Sequence, residues 1–530
     1  MKKLYLLSLL LLIVIGCKKE APKTKPVTVK KTVPAIILTD ERTVEIDTGA
    51  IGRYKSETLK QFYLASENKT VWGNLKKRTY VLSQFEKAEA LGLEPEDYKF
   101  SQLKKFEQRI SSLSDTDLAT YDILLTYNFE KYLNHLYKGK LDPKKLYGNW
   151  DLEEKTFDVN TVLVKAFNRN KLDSIVENIQ PKAETYKELL KSLEIIKDFP
   201  DDKDIPSIEG VVKLNLKDTS NALIAIKKRL LFWKDMSGKD SLTQIYDQKT
   251  FEAVKRFQER HGLEPDGVIG AGTIKALNYS KEHRRQQIIV NLERWRWFST
   301  EFAENYFIIN IANYSLNVVE NKDTTLVRNI AVGTNKRKTP VLTSKLRTVV
   351  FNPTWTVPPT ILKEDVVPAM KRNRNYLAKK NITIYDSSGN IVEPSAWNEN
   401  KPNRYRYVQS PGYNNSLGLM KIMFPNHYSV YLHDTNHRNI FGRNNRSLSS
   451  GCVRVENPLE LAQHILDDEG TWPQDRIDTI IASKKTTSVK ITKNYALYQW
   501  YWTAWSKKNQ LLFRADIYDL DADLYSKLRD

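Results

Sequence analysis

The sequence predicts a multidomain α+β protein: a helical scaffold, a small three-helix module and a mostly β domain interrupted by an insertion. Three observations carry this. The chain has 530 residues, too many for one hydrophobic core. Between residues 55 and 205 apolar side chains recur at helical spacing, as in Leu118, Tyr121, Leu125, Phe129, Tyr132 and Leu136. From Tyr306 onward the period changes to short β-branched runs bounded by Asn, Gly and charged turns.

Residues 1–16 read as an export signal: Lys2 and Lys3, then an apolar run from Leu4 to Ile15 that is too short to span a bilayer. Val14-Ile15-Gly16-Cys17 resembles a bacterial lipobox, which implies cleavage before Cys17 and lipidation of its sulfur. Residues 17–40, rich in Lys, Thr, Pro and Val, read as a tether. The helical scaffold is expected over 41–215, with Gly139 to Pro143 ending its long helix. The small module follows over 216–282. Leu223, Ile226, Leu230 and Leu231 suit one helix, and Phe251, Val254 and Phe257 suit a second. Gly262 caps the second, Asp266-Gly267 turns the chain, and Thr273 opens a third.

Residues 283–298 predict a connecting helix whose Trp295 and Trp297 suit a contact between domains. The β domain is expected over 299–488, with strands at 306–311, 316–319, 330–333, 348–351 and 419–424. An insertion over about 358–415 breaks the strand pattern: Leu362 to Met370 looks helical and the rest irregular, which suits a lid over a site. Residues 489–530 read as further strands, with Trp500, Trp502 and Trp505 as core or interface.

Charge narrows the partner only partly. Lys and Arg number 83 against 64 Asp and Glu, a net +19. Such a balance could mean nucleic acid, but the lysines are spread along the chain instead of forming one basic block. A basic surface also suits an anionic polymer such as a cell wall, so charge alone does not choose the partner.

Cysteine usage points to chemistry. The chain has two cysteines, Cys17 and Cys452. With Cys17 taken by the anchor, Cys452 is a lone thiol in an exported protein, either a reactive group or a small buried hydrophobe. His433 ends an apolar strand-like run nineteen residues earlier, far enough for two neighbouring strands to meet across a loop. A histidine that takes the proton makes the thiolate that attacks a carbonyl. Gly451 allows a sharp turn whose amides could face an oxyanion. His433 and His437 also show the H-x-x-x-H spacing of two zinc ligands, but no glutamate accompanies them and the preceding run is strand-like, so no metal is expected.

His433 followed by Ser449-Ser450-Gly451-Cys452-Val453-Arg454 resembles the signature of the L,D-transpeptidase (YkuD-type) catalytic domain, with Ser450 where many members carry a second histidine. Residues 257–278, from Phe257-Gln258 through Asp266-Gly267 to Leu277-Asn278, resemble the peptidoglycan-binding helical module. The order of domains resembles that of large L,D-transpeptidases. The resemblance implies peptidoglycan stem peptides and glycan as partners, no nucleic acid and no cofactor. It makes Cys452 the nucleophile and His433 its base, with lowered thiol pKa through a thiolate–imidazolium pair. Gly451 and Ser450 belong to the catalytic turn, and Arg454 shares the face of Cys452 on a strand. Ser449, Tyr407, Trp355 and Asn352 are weaker expectations for substrate binding.

The implied reaction cleaves the third-residue to D-alanine bond of a tetrapeptide stem and transfers the acyl group to the side-chain amine of another stem. A hydrolase trimming stems or cutting cross-links, and a lipid-anchored wall-binding protein with an inert Cys452, are the alternatives. The expected location is the cell envelope, as a periplasm-facing lipoprotein with the outer membrane as its expected home.

Overall fold

The computed structural model describes residues 34–38, 42–238, 242–298, 301–467 and 470–530. Cys17, the expected signal and most of the expected tether lie outside the described residues. Among the described residues no helix is long and apolar enough to cross a membrane.

The helical scaffold forms around the helix Asp115–Lys138. Ser114 caps its first turn by accepting from the Asp117 amide, and the helix stops where Gly139 takes φ +90°. Tyr121, Leu125, Phe129, Tyr132 and Leu136 are buried at its centre, as the spacing predicts, and pack with Phe62, Trp72, Phe85 and Leu163 into one core.

A second and larger core runs from Tyr147 to Leu528 and joins the remaining parts. Three helices, Ala222–Phe232, Gln248–Arg260 and Ala271–Leu277, build the small module. The third starts two residues before the predicted Thr273, because Gly270 supplies its extended cap. Gln258 knots the loop between them: its side chain accepts from the Gly267 amide at 2.8 Å and donates to the Val268 carbonyl at 3.0 Å. Gly267 has φ +71° and lies against the Phe251 ring, so no side chain fits there.

The connecting helix is Lys281–Trp297, capped by Ser280 and carrying Arg294 and Arg296 in its last turn, where cations suit the helix dipole. It is buried nearly all round, polar residues included. Trp295 stacks on Trp502 with centroids 4.4 Å apart, and Trp297 donates to the Leu141 carbonyl at 2.9 Å, so both tryptophans make contacts between parts of the chain.

The β domain is one large mixed sheet. Trp150–Asp151 comes first, followed by Val341–Lys345, Ala496–Trp500, Asn305–Asn310, Ser315–Glu320 and Asp323–Gly333. Val453–Val455, Leu432–His433, Met420–Met423, Thr348–Phe351 and Thr487–Lys490 follow, and Ser447–Ser449 pairs with Asp323–Gly333 beside this path. The edge strand Trp150–Asp151 comes from within the scaffold segment, and Ala496–Trp500 from near the C-terminus lies inside the sheet.

The insertion differs from its irregular prediction. It forms a four-stranded sheet of Trp355–Thr356, Arg406–Gln409, Ile382–Tyr385 and Ile391–Val392. Val357, Leu362, Val366, Met370, Leu377, Ile384, Trp397 and Tyr407 make its own core. Its strands are four residues or fewer, too short for alternation to stand out in the sequence.

Candidate active site

Three adjacent strands bring the chemistry-bearing side chains together. Leu432–His433 runs parallel to Val453–Val455 with Leu432 opposite Val453 and His433 opposite Arg454. This register sets Tyr431 opposite Cys452. Side chains two apart on a strand share a face, so Tyr431 and His433 stand beside Cys452 and Arg454. On the other flank Met420–Met423 pairs antiparallel, with Lys421 opposite His433.

Tyr431, His433, Cys452 and Arg454 line a cavity of about 370 Å³ whose other wall is Trp355, Pro358, Thr360 and Ile361 at the root of the insertion. The insertion therefore forms part of the roof of the cavity that holds Cys452.

The turn that carries Cys452 is tightly braced. Ser449 is buried; its hydroxyl accepts from the Gly451 amide at 3.1 Å and donates to the Cys452 carbonyl at 2.6 Å. Gly451 has φ +115°, and its carbonyl accepts from the Thr339 hydroxyl at 2.9 Å. The same Thr339 hydroxyl accepts from the Gly333 amide at 2.8 Å. Tyr518, from the C-terminal segment, accepts from the Thr339 amide and donates to the Gly333 carbonyl, both at 3.0 Å. Because the Gly451 amide is taken by Ser449, it is not a free oxyanion donor as the sequence suggested. Ser450 is exposed and accepts from Arg337 at 2.8 Å.

Electrostatics differ from the expected thiolate–imidazolium pair. Burial raises the Cys452 thiol above its usual value, opposed by hydrogen bonds from Tyr431 and by the charges of Arg454 and Lys421. Burial, with Arg454 and Lys421 nearby, lowers His433 to about 3. The resting pair is a neutral thiol and a neutral imidazole. Nδ1 of His433 is buried with no hydrogen-bond partner. An unprotonated imidazole at neutral pH is a base able to accept a proton. The two cations favour the thiolate once it forms.

Tyr431 and Lys421 escaped the sequence reading. The Tyr431 ring lies edge-on to His433 with centroids 5.6 Å apart, and Lys421 Nζ sits 5.3 Å from the Tyr431 centroid. The signals were present: Tyr431 is two residues before His433, and Lys421 interrupts an apolar strand.

Two expected substrate contacts lie elsewhere. Tyr407 is buried in the insertion's core, where its hydroxyl accepts from Trp397 Nε1 at 2.7 Å and donates to the Pro402 carbonyl at 3.0 Å. Asn352, at φ +46° and buried, donates its side-chain amide to the carbonyls of Ile480 and Ile481 at 2.8 and 3.2 Å, fastening the end of the helix Gln474–Ala482. Trp355 does line the cavity, together with Tyr431. His437 is exposed beyond the strand, and among the described residues no three metal-ligating side chains cluster.

Comparison with known proteins gives three matched segments. Residues 304–491 match the L,D-transpeptidase catalytic domain, residues 219–277 the "Putative peptidoglycan binding domain" and residues 57–193 the scaffold domain. A curated relative from Haemophilus influenzae, named "Putative L,D-transpeptidase", is 39% identical over 242 residues. That match spans 45% of this chain and 49% of the relative, so the chain spans about half the length of the relative it matches. Among solved structures, an L,D-transpeptidase from Xylanimonas cellulosilytica aligns at 15% identity and a TM-score of 0.18, covering 55% of this chain and 99% of that one. One from Stackebrandtia nassauensis aligns at 11% identity and 0.20, covering 56% and 96%.

Proposed function

Residues 304–491 are an L,D-transpeptidase catalytic domain that follows a scaffold domain and a peptidoglycan-binding domain, and we propose that the whole protein cross-links peptidoglycan stems through Cys452. The observation that carries this reading is the grouping of one thiol, one neutral imidazole and the Arg454 guanidinium in a single roofed cavity, with Lys421 opposite His433 on the neighbouring strand.

The Cys452 sulfur attacks the carbonyl carbon of the third stem residue while its proton passes to His433. The oxyanion forms beside Arg454, with Lys421 behind it. Collapse breaks the bond to D-alanine, whose amine leaves with the proton from His433. The side-chain amine of a second stem attacks the thioester and gives its proton to His433. Loss of the Cys452 sulfur, reprotonated from His433, leaves an amide between two third-position residues. Tyr431 orients the thiol through its hydrogen bonds. Ser449, Thr339 and Gly451 fix the turn, and Trp355 contributes wall.

The lipobox-like Val14-Ile15-Gly16-Cys17 supports a lipid anchor in the cell envelope, with the tether and scaffold holding residues 216–282 and the catalytic domain within reach of the wall.

Mass spectrometry of products from a disaccharide-tetrapeptide tests the reaction. The reading predicts dimers that have lost one D-alanine with the wild type and none with Cys452→Ala. Trimmed monomers alone would move the activity to hydrolysis, and unchanged substrate would remove the enzymatic reading.

A further inference from the structure

Arg337 occupies the turn between the strands Asp323–Gly333 and Val341–Lys345. This turn is fixed before its side chain does anything. The Arg337 amide donates to the Thr334 carbonyl at 3.0 Å, and its own carbonyl lies where a Cβ on Gly333 would come within 2.0 Å. Thr339, two residues on, holds the Gly451 carbonyl at 2.9 Å.

From this base the guanidinium reaches three groups. Nη2 pairs with Glu364 at 2.6 Å, and Nη1 pairs with Asp365 and donates to the Ser450 hydroxyl, both at 2.8 Å. Lys336 adds a longer pair to Glu364 at 3.5 Å. Glu364 and Asp365 lie on the helical turn Leu362–Val366, whose Leu362 and Val366 are buried in the insertion's core. Among the described residues, no other ion pair joins residues 358–415 to the rest of the protein. Arg337 also lines the cavity that holds Cys452.

We propose that Arg337 is a positioning residue that latches the insertion onto the nucleophile turn, and that a carboxylate-bearing ligand in the cavity competes with Glu364 and Asp365 for its guanidinium. A planar fork with five donors suits exchange of one carboxylate for another. The identity of that ligand as a stem peptide rests on the proposed function; the latch itself does not.

Two measurements on the full chain test this. Hydrogen exchange of residues 360–412 without ligand should quicken about tenfold in Glu364→Gln/Asp365→Asn and in Arg337→Gln, with Arg337→Lys between them and the wild type. High salt should loosen the wild type toward the variants and leave the variants unchanged. The second measurement is tetrapeptide affinity in a Cys452→Ala background. Arg337→Gln should weaken binding about tenfold, whereas Glu364→Gln/Asp365→Asn should tighten it, because the competitor has gone. Unchanged exchange would overturn the latch, and affinity shifts in the same direction for both variants would overturn the competition. Absence of tetrapeptide binding by the Cys452→Ala protein would count against the proposed substrate, while the exchange rates alone would still decide the latch.

Discussion

Burial and charge pull in opposite directions at Cys452. Burial raises the thiol, while Arg454, Lys421 and the Tyr431 hydrogen bonds hold the thiolate. His433, lowered to about 3, stays neutral through the physiological range and adds no cation. Alkylation of Cys452 by iodoacetamide should therefore keep accelerating as pH rises through the ordinary thiol value near 9.0, and Lys421→Met should push the profile to still higher pH. A rate plateau already reached in the acid range would instead reveal a thiolate–imidazolium pair. That His433 and Cys452 share one cavity was legible because their types and spacing are unusual together, whereas the partner of the Gly451 amide was not. Tyr431 and Lys421 were not, since a tyrosine and a lysine in strands are common until the register places them beside a thiol. Asn352 was misread for the reverse reason: its side chain serves three backbone carbonyls, which no sequence pattern marks. Asn352→Ala should cost about 1–3 kcal/mol of stability, read from denaturant melts, with the KM for tetrapeptide unchanged.

Among the elements, the long scaffold helix Asp115–Lys138 and the three helices of the small module could be read from periodicity and Gly breaks, since long amphipathic stretches average out local noise. The insertion showed the limit. Its position and its helical start were legible, but strands of two to four residues give too little alternation to recognise. The scaffold helix also buries a carboxyl that its pattern did not expose. Glu130 is 4% exposed, its Oε1 has no partner, and burial pushes it up to about 8. Its unfolded value is near 4.5, so its neutral form supports the fold fully below that pH, and the support is lost as pH rises toward 8. Glu130→Gln should therefore raise the melting temperature at alkaline pH, by a stability gain on the order of 2 kcal/mol, and leave it nearly unchanged at acid pH. An equal effect at both ends of the range would contradict this account of the helix.

At the scale of the whole molecule, the connecting helix Lys281–Trp297 ties the parts together. Leu141 of the scaffold donates its amide to Glu293 at 2.9 Å, and Asn291 donates to Thr503 at 2.8 Å. Arg294 pairs with Asp521 at 2.6 Å on the C-terminal helix Asp521–Arg529. The C-terminal segment also supplies Tyr518, which bonds to Thr339 and Gly333 beneath the turn that carries Cys452, so it braces the site. The sequence suggested a joining helix but not its nearly complete burial, because its buried arginines, glutamine and asparagine read as surface residues until partners from distant segments are placed. Removing one member of a buried pair leaves an uncompensated charge. Asp521→Ala should cost about 3–5 kcal/mol in chemical denaturation and lower turnover by loosening the C-terminal brace. Unaltered stability would show that the C-terminal segment is dispensable.

The central claim is that Cys452 carries the acyl group, and intact-mass measurement after incubation with disaccharide-tetrapeptide tests it most directly. The account predicts an adduct equal to the stem fragment less D-alanine on the wild type, absent from Cys452→Ala and released by an amine acceptor. Turnover by Cys452→Ala, or an adduct of the same mass on it, would contradict the account.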